Sequence, residues 1–176
     1  MLVPPCVTSY NLGMAVRISS PLLDAIRAQA SAAAPFECCG LLLGSARILP
    51  ASESCIEISA ILPAANVAPE PLHRFEVDPA ILIAAHRNAR DGGPALVGHY
   101  HSHPAGAPVP SPVDAEMAGV EGEIWLLAGS GGAVRAWRAS CGGSLHGRFE
   151  PVELFASPQA PLAPAAAERH DGPPNP

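Results

Sequence analysis

No stretch of this 176-residue chain approaches the ~20 consecutive apolar positions that a membrane helix needs. No basic segment followed by a long apolar run opens it. The expectation is a protein without a membrane anchor, in the cytoplasm. Cationic residues are also few. Ten Lys and Arg stand against sixteen Asp and Glu, the net charge is −6, and the ten are scattered along the chain. Binding to a nucleic-acid backbone rests on concentrated positive charge, so no nucleic-acid partner is expected. The five cysteines, Cys6, Cys38, Cys39, Cys55 and Cys141, form no C-x-x-C pair. That excludes a zinc ribbon and a thioredoxin-like motif, and an odd count fits reduced thiols. There is no internal repeat. What remains is one domain with enough residues for a core, read as 14–156, and a Pro/Ala-rich end, 157–176, with little to bury and read as disordered. Residues 1–13 show no period, so Met14 is an alternative start to Met1.

What the chain does have is concentrated in His99 to Glu116, H-Y-H-S-H-P-A-G-A-P-V-P-S-P-V-D-A-E. His101 and His103 stand two apart at the end of the apolar run Ala95 to Gly98, so on an extended strand both imidazoles point to one face. Pro104 ends the strand. After a Gly/Pro-rich loop, Ser111-Pro112-Val113-Asp114 has the form of a helix start, with Ser as N-cap and Pro at the first position. Folding that turn back over the strand would bring Asp114 to the two histidines, a nitrogen and oxygen donor set that suits one zinc ion per chain. Three protein ligands leave a fourth position open, as catalytic zinc sites do. Capping and the helix dipole alone would also account for Ser111 and Asp114. His99 shares the histidine face but is one step further from the loop, and is read as packing behind the ligands.

Upstream, Glu37 stands at the entrance of Cys38-Cys39-Gly40-Leu41-Leu42-Leu43-Gly44, a nearly all-apolar strand of the kind buried on both faces. It is either a loop acid after a helix or a carboxylate lining a cavity. Gly40 and Gly44 suggest close backbone approach. The remaining pattern gives a strand at 15–18 and a helix from Ser19-Ser20-Pro21 to about Ala34. Two strands follow at Ile48-Leu49 and Cys55 to Ile58 about a polar turn, then a loop with Asn66, and a short strand at Arg74 to Val77. A helix capped by Asp78 runs to Arg90, and a short helix starts at Pro112. Strands at 123–128 and 133–139 are joined by Gly129-Ser130-Gly131-Gly132, with a last strand near 147–153. Such a mix makes an α/β domain, most simply a central mixed sheet with flanking helices on both sides.

Three elements, Glu37 in E-C-C-G-L-L-L-G, His101-Ser102-His103-Pro104, and Ser111-x-x-Asp114, resemble in order and spacing the JAMM motif of the MPN+ metalloproteases, in particular the short prokaryotic type. The resemblance implies an MPN domain, a cytidine-deaminase-like sandwich. It also implies zinc held by His101, His103 and Asp114, Glu37 as general acid/base, and Ser111 helping to stabilise the oxyanion. As substrate it implies a ubiquitin-fold sulfur-carrier protein, cut after its C-terminal Gly-Gly. His99 stands where relatives often carry a bulky aromatic. A side-chain-free tail suits a cleft bordered by Gly98, Pro104 and Gly106. The alternatives are a non-catalytic MPN scaffold, against which the intact His, His, Asp and Glu positions weigh, and a RadC-like protein, which the loop from Pro104 to Asp114 also resembles. A cytidine deaminase would need His-x-Glu and Pro-Cys-x-x-Cys elements, and neither occurs.

Overall fold

The computed structural model describes residues 14–48 and 54–158. The disordered reading of the tail and the assignment of residues 1–13 therefore fall largely outside the described residues, as do Leu49 and most of the polar turn before Ser54. The elements follow in order as β1 (Met14–Ser19), α1 (Ser20–Ala33), β2 (Cys39–Ile48), β3 (Ser54–Ala64), α2 (Pro79–Arg90), β4 (Ala95–His103), α3 (Pro112–Met117), β5 (Ile124–Gly129), β6 (Val134–Gly143) and β7 (Gly147–Ser157).

The α/β character, the mixed sheet and the flanking helices are as the pattern predicts; the closure of the sheet goes beyond that reading. Strand order is β1-β3-β2-β4-β5-β6-β7, and β1 pairs in parallel with both β3 and β7, so the sheet closes on itself. Closure leaves neither edge unpaired, which removes the usual hazard of exposed strand edges. It was not visible in the pattern because alternation reports which face a residue takes, not which strand lies beside it.

One face of the curved sheet packs on α1. Leu23 and Ile26 of the helix join Val16, Ile18, Leu42, Ile58, Tyr100, Ile124, Leu126 and Ala136 in one cluster. The opposite face carries two smaller clusters. Ala85, Ile81 and Leu82 of α2 cover Leu41 and Leu43, while Ala115 of α3, Ala118 and Phe75 pack against Cys39, Trp125, Leu127, Trp137 and Phe149. His99, His101 and His103 of β4 face this second side, so the site lies between α3 and the segment that holds Phe75. Helix α1 begins after Ser19 as expected, yet that hydroxyl makes no cap bond and is buried without a partner. Asp78 does cap α2, accepting from the Ala80 N–H at 2.8 Å. Among the described residues no helix is long and apolar enough to cross a membrane.

Two local readings are corrected. The strands read separately at Leu41 to Leu43 and at Ile48 are one ten-residue β2, bent by a register shift at Leu43/Gly44 instead of broken. Glycine is required there because a Cβ at Gly44 would stand 2.0 Å from the Glu57 carbonyl oxygen. The stretch Arg74 to Val77 is not a strand; its one sheet-like contact is the Val77 bridge to Asn66. Its backbone groups find other partners, described below. Three of the cysteines, Cys38, Cys39 and Cys55, are free and buried.

Candidate functional site

His101 and His103 point to the same face at the C-terminal end of β4, as their spacing dictates. His101 is fully buried and His103 partly so. The Phe75 ring stacks on His101 with centroids 4.2 Å apart and planes 18° from parallel. The loop 104–110 then returns the chain to α3, held at several points by groups far off in sequence. The Trp137 indole donates to the Pro108 carbonyl at 3.0 Å, the Ser130 N–H to Gly106 at 2.8 Å, and the His146 Nε2 to Pro110 at 3.2 Å. Gly129 lies so close beneath the loop that a Cβ would meet Pro108 at 2.6 Å. Arg148 anchors the far end of α3 through the Ala118 carbonyl.

Ser111 and Asp114 form a reciprocal cap. The Asp114 N–H donates to Ser111 Oγ at 3.1 Å, and the Ser111 N–H donates to Asp114 Oδ2 at 2.6 Å. The Ser111 hydroxyl also donates to Oδ2, at 2.8 Å. The capping reading of these residues is therefore correct, and it serves the site as well, because the cap fixes the buried carboxylate against the histidines. Asp114 Oδ1 stands 3.3 Å from His101 Nε2, Oδ2 stands 3.4 Å from His103 Nε2, and the two Nε2 atoms are 3.1 Å apart.

This donor set fits zinc. Ligand atoms bound tetrahedrally at ~2.0–2.1 Å lie roughly 3.3 Å from one another, and the three donors here, all within 4.8 Å of one another, match one face of such a tetrahedron. The His103 Nδ1 donates to the Ala107 carbonyl at 3.3 Å, which leaves the Nε2 lone pair for the centre. His101 Nδ1 is buried with no partner. Burial pushes the His101 pKa down to about 4, against the pull of Asp114, so the ring is neutral and able to ligate near pH 7. Burial also opposes the charge on His103, but Asp114, Glu37 and the Ala107 carbonyl together carry its pKa above the ordinary value. Burial alone would raise the Asp114 carboxyl; hydrogen bonds from His101, His103 and Ser111 outweigh it and hold the group well below the usual carboxylate range.

Glu37 reaches the site through strand pairing. Cys39 stands opposite His101 in the β2–β4 ladder, so the same two-residue period sets Glu37 toward His103. The two chains stay together beyond the ladder, where the Ser102 N–H donates to the Cys38 carbonyl and the Cys38 N–H to Ser102 Oγ. The Glu37 carboxyl is buried and outside the three-donor cluster. Burial raises its pKa to about 7, with His103 lowering and Asp114 raising it. A carboxyl with that affinity is suited to exchange a proton near neutrality.

His99 falls on the ligand face but outside the cluster. Its ring packs against Trp125 at 3.9 Å and Phe75 at 5.3 Å, and its Nδ1 lies 3.3 Å from Glu123 Oε1. Gly98 does not border the site. It faces the Ile124 carbonyl and lines a cavity of about 410 Å³ with Leu82, His86 and Val120, near the start of β4. A cleft of about 480 Å³ does open beside the site strand, between Ser102, Pro104, Gly129 and the end of α1. Sequence reasoning missed two parts of the site. Phe75 was read as a strand residue and Asn66 as a loop residue, and only the packing shows what they touch.

The profile for prokaryotic homologs of the JAB domain matches residues 19–140. The desampylase of Haloferax volcanii is 32% identical over 130 residues, 74% of this chain and 88% of that protein. A probable TtuB-protein conjugate cleaving protease of Thermus thermophilus is 33% identical over 113 residues, 64% of this chain and 69% of that one. In fold the chain is similar to a Desulfitobacterium hafniense protein of known solution structure, with a TM-score of 0.65, 20% identity, and 83% and 95% of the two chains covered. With a family match that runs from the end of β1 through Glu37, both histidines and Asp114, the chain belongs to the prokaryotic JAB-domain family.

Proposed function

We propose that this protein is a zinc-dependent hydrolase that releases a ubiquitin-like protein, of the sulfur-carrier type, from what is joined to its C-terminal Gly-Gly. The observation that carries this reading is the convergence of His101, His103 and Asp114 at 3.1–3.4 Å with a buried carboxyl of raised pKa beside them. The names of the two relatives, a desampylase and a conjugate-cleaving protease, support the substrate class.

His101 and His103 would hold the ion through Nε2 and Asp114 through its carboxylate. When bound, zinc supplies a Lewis acid for the scissile carbonyl and an acidified water. Glu37 takes a proton from the attacking water and returns it to the leaving amine. Ser111 donates to the developing oxyanion; its proton is directed to Asp114 Oδ2 in this structure, so it must turn as the negative charge forms. Phe75 and Trp125 pack on His101 and bury it, while His103 keeps some exposure. The cleft between Ser102, Pro104 and the end of α1 lies on the α1 side of β4, the face opposite to His101 and His103. A Gly-Gly tail suits the crowded surroundings of His101 and Asp114, because glycine lets backbone pass close to packed groups.

To test this, the protein is incubated with a carrier whose Gly-Gly is followed by extra residues, and the product mass is followed. The product should end at Gly-Gly, a chelator should stop the reaction and added zinc restore it, and Val in place of the last Gly should nearly abolish cutting. Docking of the carrier's folded body should make it react much faster than a free peptide of the same tail. Chelator-insensitive cutting, or equal cutting of the Val variant and the peptide, would refute the reading.

A further inference from the structure

The segment 65–78 crosses the site without being helix or strand, yet it holds two parts of the site in place. Glu37 precedes the first residue of β2, so no ladder fixes its backbone. The segment does so instead: the Pro71 carbonyl accepts from the Glu37 N–H at 2.8 Å, and the Asn66 Nδ2 donates to the Glu37 carbonyl at 2.9 Å. The same carboxamide brackets Phe75. Its Nδ2 also donates to the Arg74 carbonyl at 2.9 Å, and its Oδ1 accepts from the Glu76 N–H at 3.0 Å and the Ala68 N–H at 3.1 Å. Both donors and both acceptor sites of the amide are thus in use. Phe75, between two of these partners, is the ring stacked on His101.

We propose that Asn66 is a positioning residue, whose single carboxamide locks the backbone of Glu37 to the segment that seats Phe75 on His101, so that the acid/base group and the histidine face keep one spacing. The inference rests on the reading of Glu37 as acid/base. An asparagine is needed for the role. Aspartate keeps the two acceptor contacts but has no hydrogen for the Glu37 and Arg74 carbonyls, and sets negative charge against both. The neck of the segment does not depend on the amide, since the Val67 N–H donates to Glu76 at 2.9 Å and the Asp78 N–H to Ala65 at 3.3 Å. Replacing Asn66 should therefore loosen the spacing without unfolding the domain.

The test compares Asn66→Asp, Asn66→Ala, Glu37→Gln and the double variant Asn66→Asp/Glu37→Gln with wild type, on the zinc-loaded full chain and the extended carrier substrate. Asn66→Asp should keep one zinc per chain and hold KM within about threefold while kcat falls ~10- to 100-fold, the scale expected for a small misplacement of a reacting group. In the Glu37→Gln background the same change should add less than about threefold, because residues that act through one another are not additive. Amide hydrogen exchange needs no turnover. The Glu37 N–H should exchange at least ~10-fold faster in Asn66→Asp, with Leu126 and Leu127 of β5 unchanged. Should Asn66→Ala fail to fold, the aspartate variant alone decides. Wild-type kcat in Asn66→Asp, a full multiplicative loss in the double variant, unchanged exchange at Glu37, or loss of zinc would each overturn the inference. Wild-type turnover in Glu37→Gln would instead defeat the acid/base reading, and the exchange measurement would still decide whether Asn66 fixes Glu37.

Discussion

The two halves of the site are built in different ways. The half proposed to hold the metal, His101, His103 and Asp114, comes from a span of fourteen residues; a strand end and a helix cap set its pieces, and contacts to the loop between them bring the pieces together. The half proposed to act as acid and base, Glu37, is delivered by the antiparallel pairing of β2 with β4 and is held by a segment about thirty residues further on. The pieces of the first half, a strand end and a capped turn, are set by bonded neighbours and so tolerate change elsewhere better. A tertiary device depends on every contact that carries it, so perturbations of the two halves should separate metal binding from chemistry.

The largest effect should come from breaking the metal half. His103→Ala removes one nitrogen donor and should take zinc from one ion per chain toward none by elemental analysis, with hydrolysis down at least ~10³-fold, the scale of several kcal/mol of Lewis-acid stabilisation. Equal zinc in variant and wild type would show that the three donors are not the site.

Breaking the other half should spare the metal. Glu37→Gln preserves shape but accepts no proton, so zinc content should persist while turnover falls ~10²-fold or more. Zinc lost along with activity would place Glu37 among the ligands and erase the division between halves.

Ser111→Ala sharpens the comparison, since this residue belongs to both. Loss of the cap should cost about 1 kcal/mol in chemical denaturation. If the hydroxyl also serves the oxyanion, kcat should drop by about 10²-fold at full zinc occupancy. A variant that regains wild-type turnover once zinc is saturating would confine Ser111 to orienting Asp114.

The last effect is on stability and leaves turnover aside. The metal-free fold raises the Glu37 pKa from 4.5 to about 7, so between those values the folded state binds more protons than the unfolded one. Its contribution is fully present below pH 4.5, is lost as pH rises to about 7, and is flat above. Asp114 has the opposite sign but acts below its ordinary value of 3.8, outside this window. Urea unfolding of chelated protein should therefore show Glu37→Gln gaining on wild type between pH 5 and pH 8. A difference independent of pH would mean that the carboxyl is not buried as described.

Sequence alone determined the pieces of the proposed metal half, while the long-range contacts of the 104–110 loop decided how they meet. The spacing of His101 and His103 gives one face because strand geometry has a period of two, and Ser111-Pro112-x-Asp114 gives a cap because a helix start leaves N–H groups that such residues satisfy. The helices after Ser19 and Asp78 and the glycine turn at 129–132 were legible for the same reason. The tertiary structure decided what lies between distant segments: the closure of β1 on β7, the single bent β2, the place of Glu37 opposite His103, and Asn66 and Phe75 in the site. Arg74 to Val77 alternates like a strand but is none, because the Asn66 side chain takes the hydrogen bonds a neighbouring strand would have made. Local preferences act through bonded neighbours and can be read from the chain, whereas pairing partners and side-chain bridges are chosen by which buried backbone groups remain to be satisfied once the core has formed.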